Sequence, residues 1–228
     1  MNDNKTAHMS SEYDGKINAT IPNYEYFHSE TIDLVKAINP SPRKWLDTGC
    51  GTGTFVLNTA SFFRDTEFVL ADPAKQMLDI AVLKLAGVKN TKIQVLEPIS
   101  SQNMDFHEDT FDVITAIQAH HYLDRTMREK ATANCFRMLK SKGVYVTFEN
   151  IKPFSEIGIK IGLNRWKHFQ VENGKSCDEA EKHVGRFEKE YFPITILEHV
   201  DLLKAAGFQT VEVFWTSYMQ AGFYAIKD

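Results

Sequence analysis

The sequence predicts an α/β fold in which short apolar strands alternate with helices around a mostly parallel sheet. Short apolar runs recur between stretches with helical spacing, which is the pattern of successive strand–helix units. The first of these runs, residues 45–48, leads into a turn with alternate glycines at Gly49, Gly51 and Gly53. Glycines in a strand-to-helix turn allow a ligand to lie against the main chain. We therefore expect a ligand site beyond the carboxyl ends of the strands.

The predicted elements of the core follow in order along the chain. Strands are expected at residues 45–48, 68–71, 92–96, 111–117 and 144–148. Helices are expected at about residues 53–63, 74–85 and 125–139. Such repetition favours a sheet with helices on both faces.

The last third of the chain has a different pattern. Residues 151–190 are expected to form helices and loops without a long helix, because glycines interrupt them at Gly158, Gly162, Gly174 and Gly185. Thr195 and Glu198 then form a capping-box pattern, which predicts a helix that ends at Gly207. Residues 210–215 and 222–226 are expected to form a final antiparallel hairpin.

Two carboxylates mark the ends of the first two strands. Asp47 precedes Gly49 by two residues, and Asp72 follows Gly53 by nineteen. A dinucleotide site would require a third glycine at Thr54 and would gain nothing from Asp47, since a pyrophosphate is anionic. A carboxylate there suits a cationic amine, such as the amino-acid end of S-adenosylmethionine. Asp72 falls where an acidic residue accepts the ribose hydroxyls.

These residues resemble the class I S-adenosylmethionine-dependent methyltransferases. Residues 46–53 read L-D-T-G-C-G-T-G, like the first motif of that family, and the similarity continues through residues 72–78 and 111–123. The resemblance covers nearly the whole chain. It implies a Rossmann-like seven-stranded sheet of order 3-2-1-4-5-7-6, mostly parallel with the last strand antiparallel, and a small helical cap insertion. A nicotinamide-binding domain or a decayed module of similar fold is the alternative.

The resemblance also implies a division of the chain into four parts. Residues 1–40 would form a segment that covers the cofactor and the first helix, and residues 41–150 the S-adenosylmethionine-binding core. Residues 151–193 would be the helical cap over the substrate, and residues 194–228 the helix and hairpin that complete the sheet.

The family's cofactor contacts can be assigned residue by residue. Asp47 and the main chain of the turn would hold the methionyl part, and Asp72 the ribose. Pro73 and Met77 would contact the adenine, with Ser100 and Ser101 beside its amine, where the family often has an acidic residue. Ile117 and Gln118 would lie near the transferred methyl. Ordinary core packing is the alternative for Met77 and Ile117. The turn residues in this assignment are Gly49, Cys50, Gly51 and Gly53.

His120 and His121 directly follow the fourth strand, so at least one imidazole is expected to face the site. A histidine there could accept a proton from the methyl acceptor, because its pKa is near neutrality. The alternative is that both are packing residues. Methyl transfer from a sulfonium depends mainly on alignment, which proximity can supply.

Both ends of the chain resemble the branch that contains the carboxy-S-adenosylmethionine synthase of tRNA wobble-uridine modification. In that branch an N-terminal segment covers the cofactor and a cap arginine contacts a carboxylate; Tyr24 and Arg186 are the matching positions. That synthase has serine where this chain has Gly51, so ordinary methyl transfer is the preferred interpretation. Arg186 could instead pair with Glu190. Tyr24 is expected to belong to a lid.

Composition limits the partners. The 228 residues carry a net charge of −4, which makes a nucleic-acid substrate unlikely. No apolar run approaches the roughly 20 residues of a membrane span, and the first residues lack a signal peptide's apolar core, so a cytoplasmic protein is expected. The three cysteines are too scattered for a disulfide framework or a metal site. The oligomeric state stays open, a homodimer included.

We therefore expect a methyltransferase that acts on a small-molecule acceptor by in-line displacement. The acceptor is expected beneath the cap, where a set of aromatic side chains could form a pocket (Trp166, Phe169, Phe187, Tyr191, Phe192, Phe214, Trp215 and Tyr218). One alternative is an enzyme of the carboxy-S-adenosylmethionine type that serves tRNA modification. Another is a cofactor-binding regulatory or partner subunit without catalytic activity.

Overall fold

The computed structural model describes residues 3–89 and 91–228, and its centre is a twisted sheet. Within these residues the sheet has seven strands in the order β3-β2-β1-β4-β5-β7-β6. All neighbours are parallel except β7, which runs antiparallel to both β5 and β6. The predicted fold and strand order are confirmed. The strands are β1 (Lys44–Asp47), β2 (Glu67–Leu70), β3 (Lys92–Val95), β4 (Phe111–Ile117), β5 (Leu139–Asn150), β6 (Thr210–Ser217) and β7 (Gln220–Ile226).

Helices connect the strands and cover both faces of the sheet. The helices are α1 (Tyr13–Lys16), α2 (Tyr24–Ile38), α3 (Thr54–Thr59), α4 (Lys75–Leu85), α5 (Arg125–Met138), α6 (Glu156–Glu172), α7 (Cys177–Val184) and α8 (Ile196–Ala205). Short 3-10 helices occupy Ser10–Glu12, Ser101–Asn103 and His120–Tyr122. The chain thus crosses from strand to helix and back through the core, as the alternating pattern predicts.

Alternate residues of the central strands enter two separate apolar layers. Trp45 of β1 and its neighbours in β2 and β4 pack against α2, α3 and α4, whereas Leu46 and its neighbours pack against α5 and α8. This division follows from the two-residue repeat of a strand. Because both faces are covered, β1 and β4 are almost fully buried, and only their ends reach a ligand.

Helix starts in the second half of the chain have polar caps. The side chains of Asp124, Ser155, Ser176 and Thr195 each accept a hydrogen bond from the first turn of the following helix. At Thr195 the capping box with Glu198 is complete, which confirms that prediction.

The insertion differs from the sequence expectation, because α6 runs for 17 residues through Gly158 and Gly162. A Cβ at Gly162 would lie 2.8 Å from the sulfur of Met219, so the glycine allows close packing on the end of the sheet. Tertiary packing here outweighs the low helix propensity of glycine. The helix after the glycine turn is in contrast shorter than expected, ending at Thr59.

Tyr24 also has a different setting from the one expected. It lies in the first turn of α2 rather than in an irregular segment before the helix. Its ring makes edge contacts with Phe27 and His28.

No helix within residues 3–89 and 91–228 combines the length and apolar character needed to span a bilayer. Cys50, Cys135 and Cys177 are free thiols. Over the same residues, no group of histidine, cysteine and acidic side chains is arranged to hold a metal ion.

Candidate cofactor site

A cavity of about 380 Å³ lies beyond the carboxyl ends of β1, β2 and β4. This is the edge at which ligands bind in open parallel sheets. Of the predicted cofactor residues, the following line it: Tyr24, Asp47, Gly49, Cys50, Gly51, Asp72, Pro73, Met77, Ser100, Ser101, Ile117 and Gln118. Gly53 stands just behind this surface as the N-cap of α3.

Asp47 is a buried carboxylate at the end of β1. The hydroxyl of Thr115, on the neighbouring strand β4, donates to its Oδ1 at 3.1 Å. Burial raises the pKa of Asp47 to about 7, and the negative charge of Asp72 adds to the rise, although donors on Thr115 and Gly49 oppose it. Both donors are neutral, so the carboxylate is poised for a cationic ligand group.

The glycine turn fits closely between its neighbours. Gly51 and Gly53 have positive φ angles of 52° and 76°, which favour glycine. A Cβ on Gly49 would lie 2.5 Å from the Cβ of Ala119, in the segment after β4. The turn therefore follows the cavity edge on one side and touches the post-β4 segment on the other, with no room for a methyl at Gly49.

Asp72 is held in place by main-chain donors. Gly51 N–H donates to its Oδ2 at 3.1 Å and Ala74 N–H to its Oδ1 at 2.8 Å. Burial raises the pKa of this carboxyl, and the two amides oppose the rise. Each oxygen keeps a lone pair beyond its amide contact, so the fixed carboxylate can accept further hydrogen bonds from a ligand.

The rim next to Asp72 has apolar and main-chain surfaces. Met77, in the first turn of α4, is buried and lines the cavity beside Pro73. Ser101 donates from Oγ to the carbonyl of Thr48 at 3.2 Å, which ties the 3-10 helix at Ser101–Asn103 to the end of β1. Asn134 of α5 donates to the carbonyls of Ser101 and Gln102. This rim is therefore a braced wall without an acidic side chain.

The N-terminal segment covers the opposite side of the cavity. Residues 3–6 and Tyr13 line it, although the sequence assigned no individual contact to residues 3–6. Asp14 of α1 accepts hydrogen bonds from Thr52 at 2.6 Å and from Thr54 at 2.9 Å, and pairs with Lys84 of α4 at 2.5 Å. We call these four residues the Asp14 cluster. It fastens the N-terminal segment, residues 3–20, which we call the cover, directly to the glycine turn.

The two histidines after β4 do not line the cavity, contrary to expectation. His120 and His121 are both buried on the side towards β5. His120 Nδ1 lies 3.1 Å from the Tyr145 hydroxyl, and His121 Nδ1 lies 2.6 Å from Glu149. Burial lowers the pKa of His120 to about 4. The 3-10 helix that starts at His120 turns both rings away from the site.

Arg186 lies behind the cavity wall instead of in it. Its Nε pairs with Glu190 at 2.7 Å, as the alternative interpretation had it, and its Nη2 donates to the carbonyl of Lys5 at 2.7 Å. Trp166 of α6 likewise donates to the carbonyl of Thr20 at 2.7 Å. The cap therefore contacts the N-terminal cover.

The cap itself does not form the expected aromatic pocket. Among the residues that the structure describes, none of 151–193 lines the cavity. Trp166, Phe187 and Tyr191 are buried in the apolar layer shared with α2, α3 and α4, and Phe214 and Trp215 make edge contacts with Phe148. These five side chains therefore pack in or against the core rather than around the cavity.

Tyr13, Tyr122 and Leu123 also line the cavity, although the sequence assigned none of them a contact with the cofactor. Burial raises the pKa of Tyr122 to about 12, so its hydroxyl is neutral and can donate a hydrogen bond. Only their position beside the glycine turn, which depends on the fold, brings them to the site.

Comparisons with known proteins agree with this geometry. Residues 46–143 match the family model described as a methyltransferase domain. The carboxy-S-adenosyl-L-methionine synthase of Nautilia profundicola is 25% identical over 221 residues, which span 96% of this chain and 92% of that protein. A methyltransferase structure from Thermotoga maritima, described as S-adenosylmethionine-dependent, superposes with a TM-score of 0.63 at 16% identity and covers 98% of both chains.

A second solved structure is phosphoethanolamine N-methyltransferase 2 of Haemonchus contortus in complex with S-adenosyl-L-methionine. It gives a TM-score of 0.60 at 14% identity, over 90% of this chain and 56% of that one. At such identities the two structures show a shared fold. Taken with the domain match over residues 46–143, the motif residues at the cavity support a class I S-adenosylmethionine-dependent methyltransferase, with S-adenosylmethionine as the cofactor.

Proposed function

We propose that the protein transfers a methyl group from S-adenosylmethionine to a small-molecule acceptor inside this cavity. The observation that carries the proposal is the meeting of Asp47, Asp72 and the glycine turn at one cavity. The ends of two adjacent parallel strands supply the carboxylates, and the turn between them supplies open main chain.

The residues present fit the cofactor. Asp47 is buried with neutral donors, and its raised pKa reflects the cost of holding that charge unpaired, so an ammonium group is the natural partner. Asp72 is oriented by two amides and can accept the ribose hydroxyls. Pro73 and Met77 offer an apolar surface for the adenine ring.

When bound, the cofactor supplies an electrophilic methyl on a sulfonium, and a nucleophile in line with the carbon–sulfur bond displaces it. The chain contributes position and exclusion of water. Neither His120 nor His121 reaches the cavity, and burial raises the pKa of Tyr24 to about 12, which keeps that hydroxyl protonated. His28 also lines the cavity, but burial lowers the pKa of its imidazole to about 4 and so makes it a weak base, and the proton of the acceptor is proposed to leave to solvent.

The charge of the lining supports a small acceptor over a polyanion. Asp3, Asp47 and Asp72 face the cavity with Lys5 as the one cation among the described lining residues. A net negative wall opposes phosphate groups. The N-terminal cover, fastened by Asp14, also limits access to groups that can pass beneath it.

A carboxy-S-adenosylmethionine type of reaction is the second candidate. It is supported by the similarity of the chain to the Nautilia profundicola synthase over 96% of its length. Against it, the turn carries Gly51 rather than serine, and Arg186 is engaged with Glu190 and Lys5.

Isothermal titration calorimetry with S-adenosylhomocysteine tests the proposal. The wild-type protein should bind it, and Asp72→Ala should weaken binding at least tenfold, about 1.4 kcal/mol. Asp79→Ala, an exposed carboxylate on α4 that pairs with Lys75, is the matched control and should bind normally. Tighter binding of NAD than of S-adenosylhomocysteine would refute the assignment.

Mass spectrometry of the ligand that copurifies with the protein separates the two candidates. S-adenosylmethionine or its demethylated product is expected, and a carboxylated cofactor would favour the second. Cofactor binding without methyl transfer to any member of a broad acceptor panel would favour a regulatory or partner subunit.

A further inference from the structure

The segment after β4 forms the cavity wall opposite the glycine turn, and buried charges hold it. We call residues 118–123 the site-wall turn. Gln118, Ala119, Tyr122 and Leu123 all line the cavity. Gln118 has a φ of 53°, and its N–H donates to Phe148 at 2.7 Å. Since Ala119 touches Gly49, a small displacement of this turn changes the shape of the site.

Glu149, near the end of β5, binds the amide side of the site-wall turn. Its Oε1 accepts from His120 N–H at 3.0 Å, and its Oε2 accepts from His121 N–H at 2.9 Å and from His121 Nδ1 at 2.6 Å. Thr147 donates a fourth hydrogen bond at 2.8 Å. Burial opposes ionisation, but the bond from His121 outweighs it and lowers the pKa of Glu149 to about 2. The carboxylate is therefore anionic and fully hydrogen-bonded.

The imidazole of His121 is fixed by a directional chain of side chains. Gln220 donates from Nε2 to the carbonyl oxygen of Asn150, and Asn150 donates from Nδ2 to His121 Nε2, both at 3.2 Å. With Nε2 accepting, the imidazole proton sits on Nδ1 and points to Glu149. His121 thus donates from Nδ1 and orients the carboxylate.

Arg128, buried in α5, binds the carbonyl side of the same turn. Its Nε donates to His120 O at 3.2 Å, and its Nη2 donates to Leu123 O at 3.0 Å. A carboxylate at the amides and a guanidinium at the carbonyls match the dipole of the short 3-10 helix between them. Both charges act on the main chain of one turn.

The end of the cap docks on this turn as well. Arg128 Nη2 also donates to the carbonyl of Phe192, and Phe192 N–H donates to His121 O at 2.7 Å. The Phe192 main chain is therefore bonded to the site-wall turn through its N–H and to Arg128 through its carbonyl. A single buried guanidinium thus touches the cavity wall and the segment that ends the cap.

We propose that Glu149 and Arg128 are positioning residues that set the site-wall turn and couple the cap, through Phe192, to the cofactor cavity. The coupling rests on the proposed function, because it concerns the ligand of that cavity. Ligand binding restrains the main chain of the turn. The hydrogen bonds of Arg128 extend this restraint to residues 190–194, which do not line the cavity. By reciprocity, displacement of the cap end weakens cofactor binding.

Hydrogen exchange with and without S-adenosylhomocysteine tests the coupling. In the wild-type protein the ligand should slow exchange at residues 118–123 and also at 190–194. Arg128→Lys keeps the charge but loses the planar fork that reaches three carbonyls. It should remove the ligand-induced protection at 190–194 and raise the dissociation constant at least fivefold. Arg125→Lys, on the same helix but paired with Glu129 at the surface, is the matched control and should behave as wild type.

Glu149→Gln provides an independent test without ligand. The substitution replaces one carboxylate oxygen with an NH2 group, which would face one of the N–H donors that now bind Glu149. The main-chain amides of His120 and His121 should therefore exchange at least tenfold faster, and the main-chain amides of β1 should be unchanged. Failure of the wild type to bind S-adenosylhomocysteine would overturn the proposed function. The ligand-free comparison of hydrogen exchange in Glu149→Gln and wild type would still test the role of Glu149. Wild-type binding with no change at 190–194, or an unaltered Arg128→Lys, would overturn the coupling. Should Glu149→Gln not fold, Arg128→Lys carries the test alone.

Discussion

Cofactor binding should weaken as the pH falls below neutrality, because the ionised form of Asp47 is the one that pairs with an ammonium group. Burial raises the pKa of this carboxyl to about 7. At pH 8 about nine tenths of the free protein would have Asp47 ionised, and at pH 6 about one tenth. The dissociation constant for S-adenosylhomocysteine should therefore rise about tenfold from pH 8 to pH 6.

Calorimetry across this range measures the effect, and buffers of different ionisation enthalpy count the proton that binding releases. The imidazole of His28, which also lines the cavity, has its pKa lowered to about 4 by burial, so it does not titrate in this window. Asp47→Asn should bind weakly at every pH and show no slope. Asp72→Asn, the matched control, should bind weakly and keep a pH dependence, displaced to lower pH because the charge of Asp72 no longer raises the pKa of Asp47. Equal affinity of the wild type at pH 6 and pH 8 would refute the reasoning, as would an unchanged slope in Asp47→Asn.

Four further outcomes follow from the same geometry. Because the pKa of Asp47 is raised in the folded state, its protonated side chain favours folding at low pH, and this contribution to stability is lost as the pH rises through about 7. Asp47→Asn should therefore stabilise the ligand-free protein by up to about 4 kcal/mol at pH 8 and hardly at pH 4. Denaturant unfolding measures both values. Gly49→Ala should destabilise by about 1–3 kcal/mol because its Cβ meets Ala119, whereas Gly87→Ala, with open space, should change stability little. Asp14→Asn should speed hydrogen exchange in residues 3–20 and ligand dissociation; unchanged exchange there would show that the cluster does not hold the cover. Tyr24→Ala should raise the Michaelis constant for cofactor with the fold intact by circular dichroism.

The part of the site that the sequence predicts is the part that local patterns determine. Asp47 and Gly49 sit within one strand and its turn, and Asp72 ends the next strand. Parallel pairing of β1 with β2 brings the two carboxylates to one edge whatever the rest of the chain does. Short-range chemistry and one topological rule were sufficient there.

The directions of His120 and His121 depend on a residue far along the chain. Glu149, on β5, takes both amides and one imidazole, and so turns the rings from the cavity. No local pattern contains that contact. The same holds for α6, where packing of Gly162 on Met219 overrides the expected break. Residues 3–6 reach the cavity only because the Asp14 cluster and Arg186 fasten the segment that carries them.

The difference between residues placed by local motifs and residues placed by long-range contacts indicates which part of the cavity selects the acceptor. The motif residues that we propose to bind the methyl donor lie mainly on the β1 and β2 side of the cavity. The remaining lining includes Lys5, Tyr13, Tyr122 and Leu123, which belong to the cover and to the site-wall turn. Both segments are held by contacts with the cap, at Lys5 through Arg186 and at Leu123 through Arg128 and Phe192. We therefore expect the cap to influence the acceptor by placing these two segments, without itself touching the ligand.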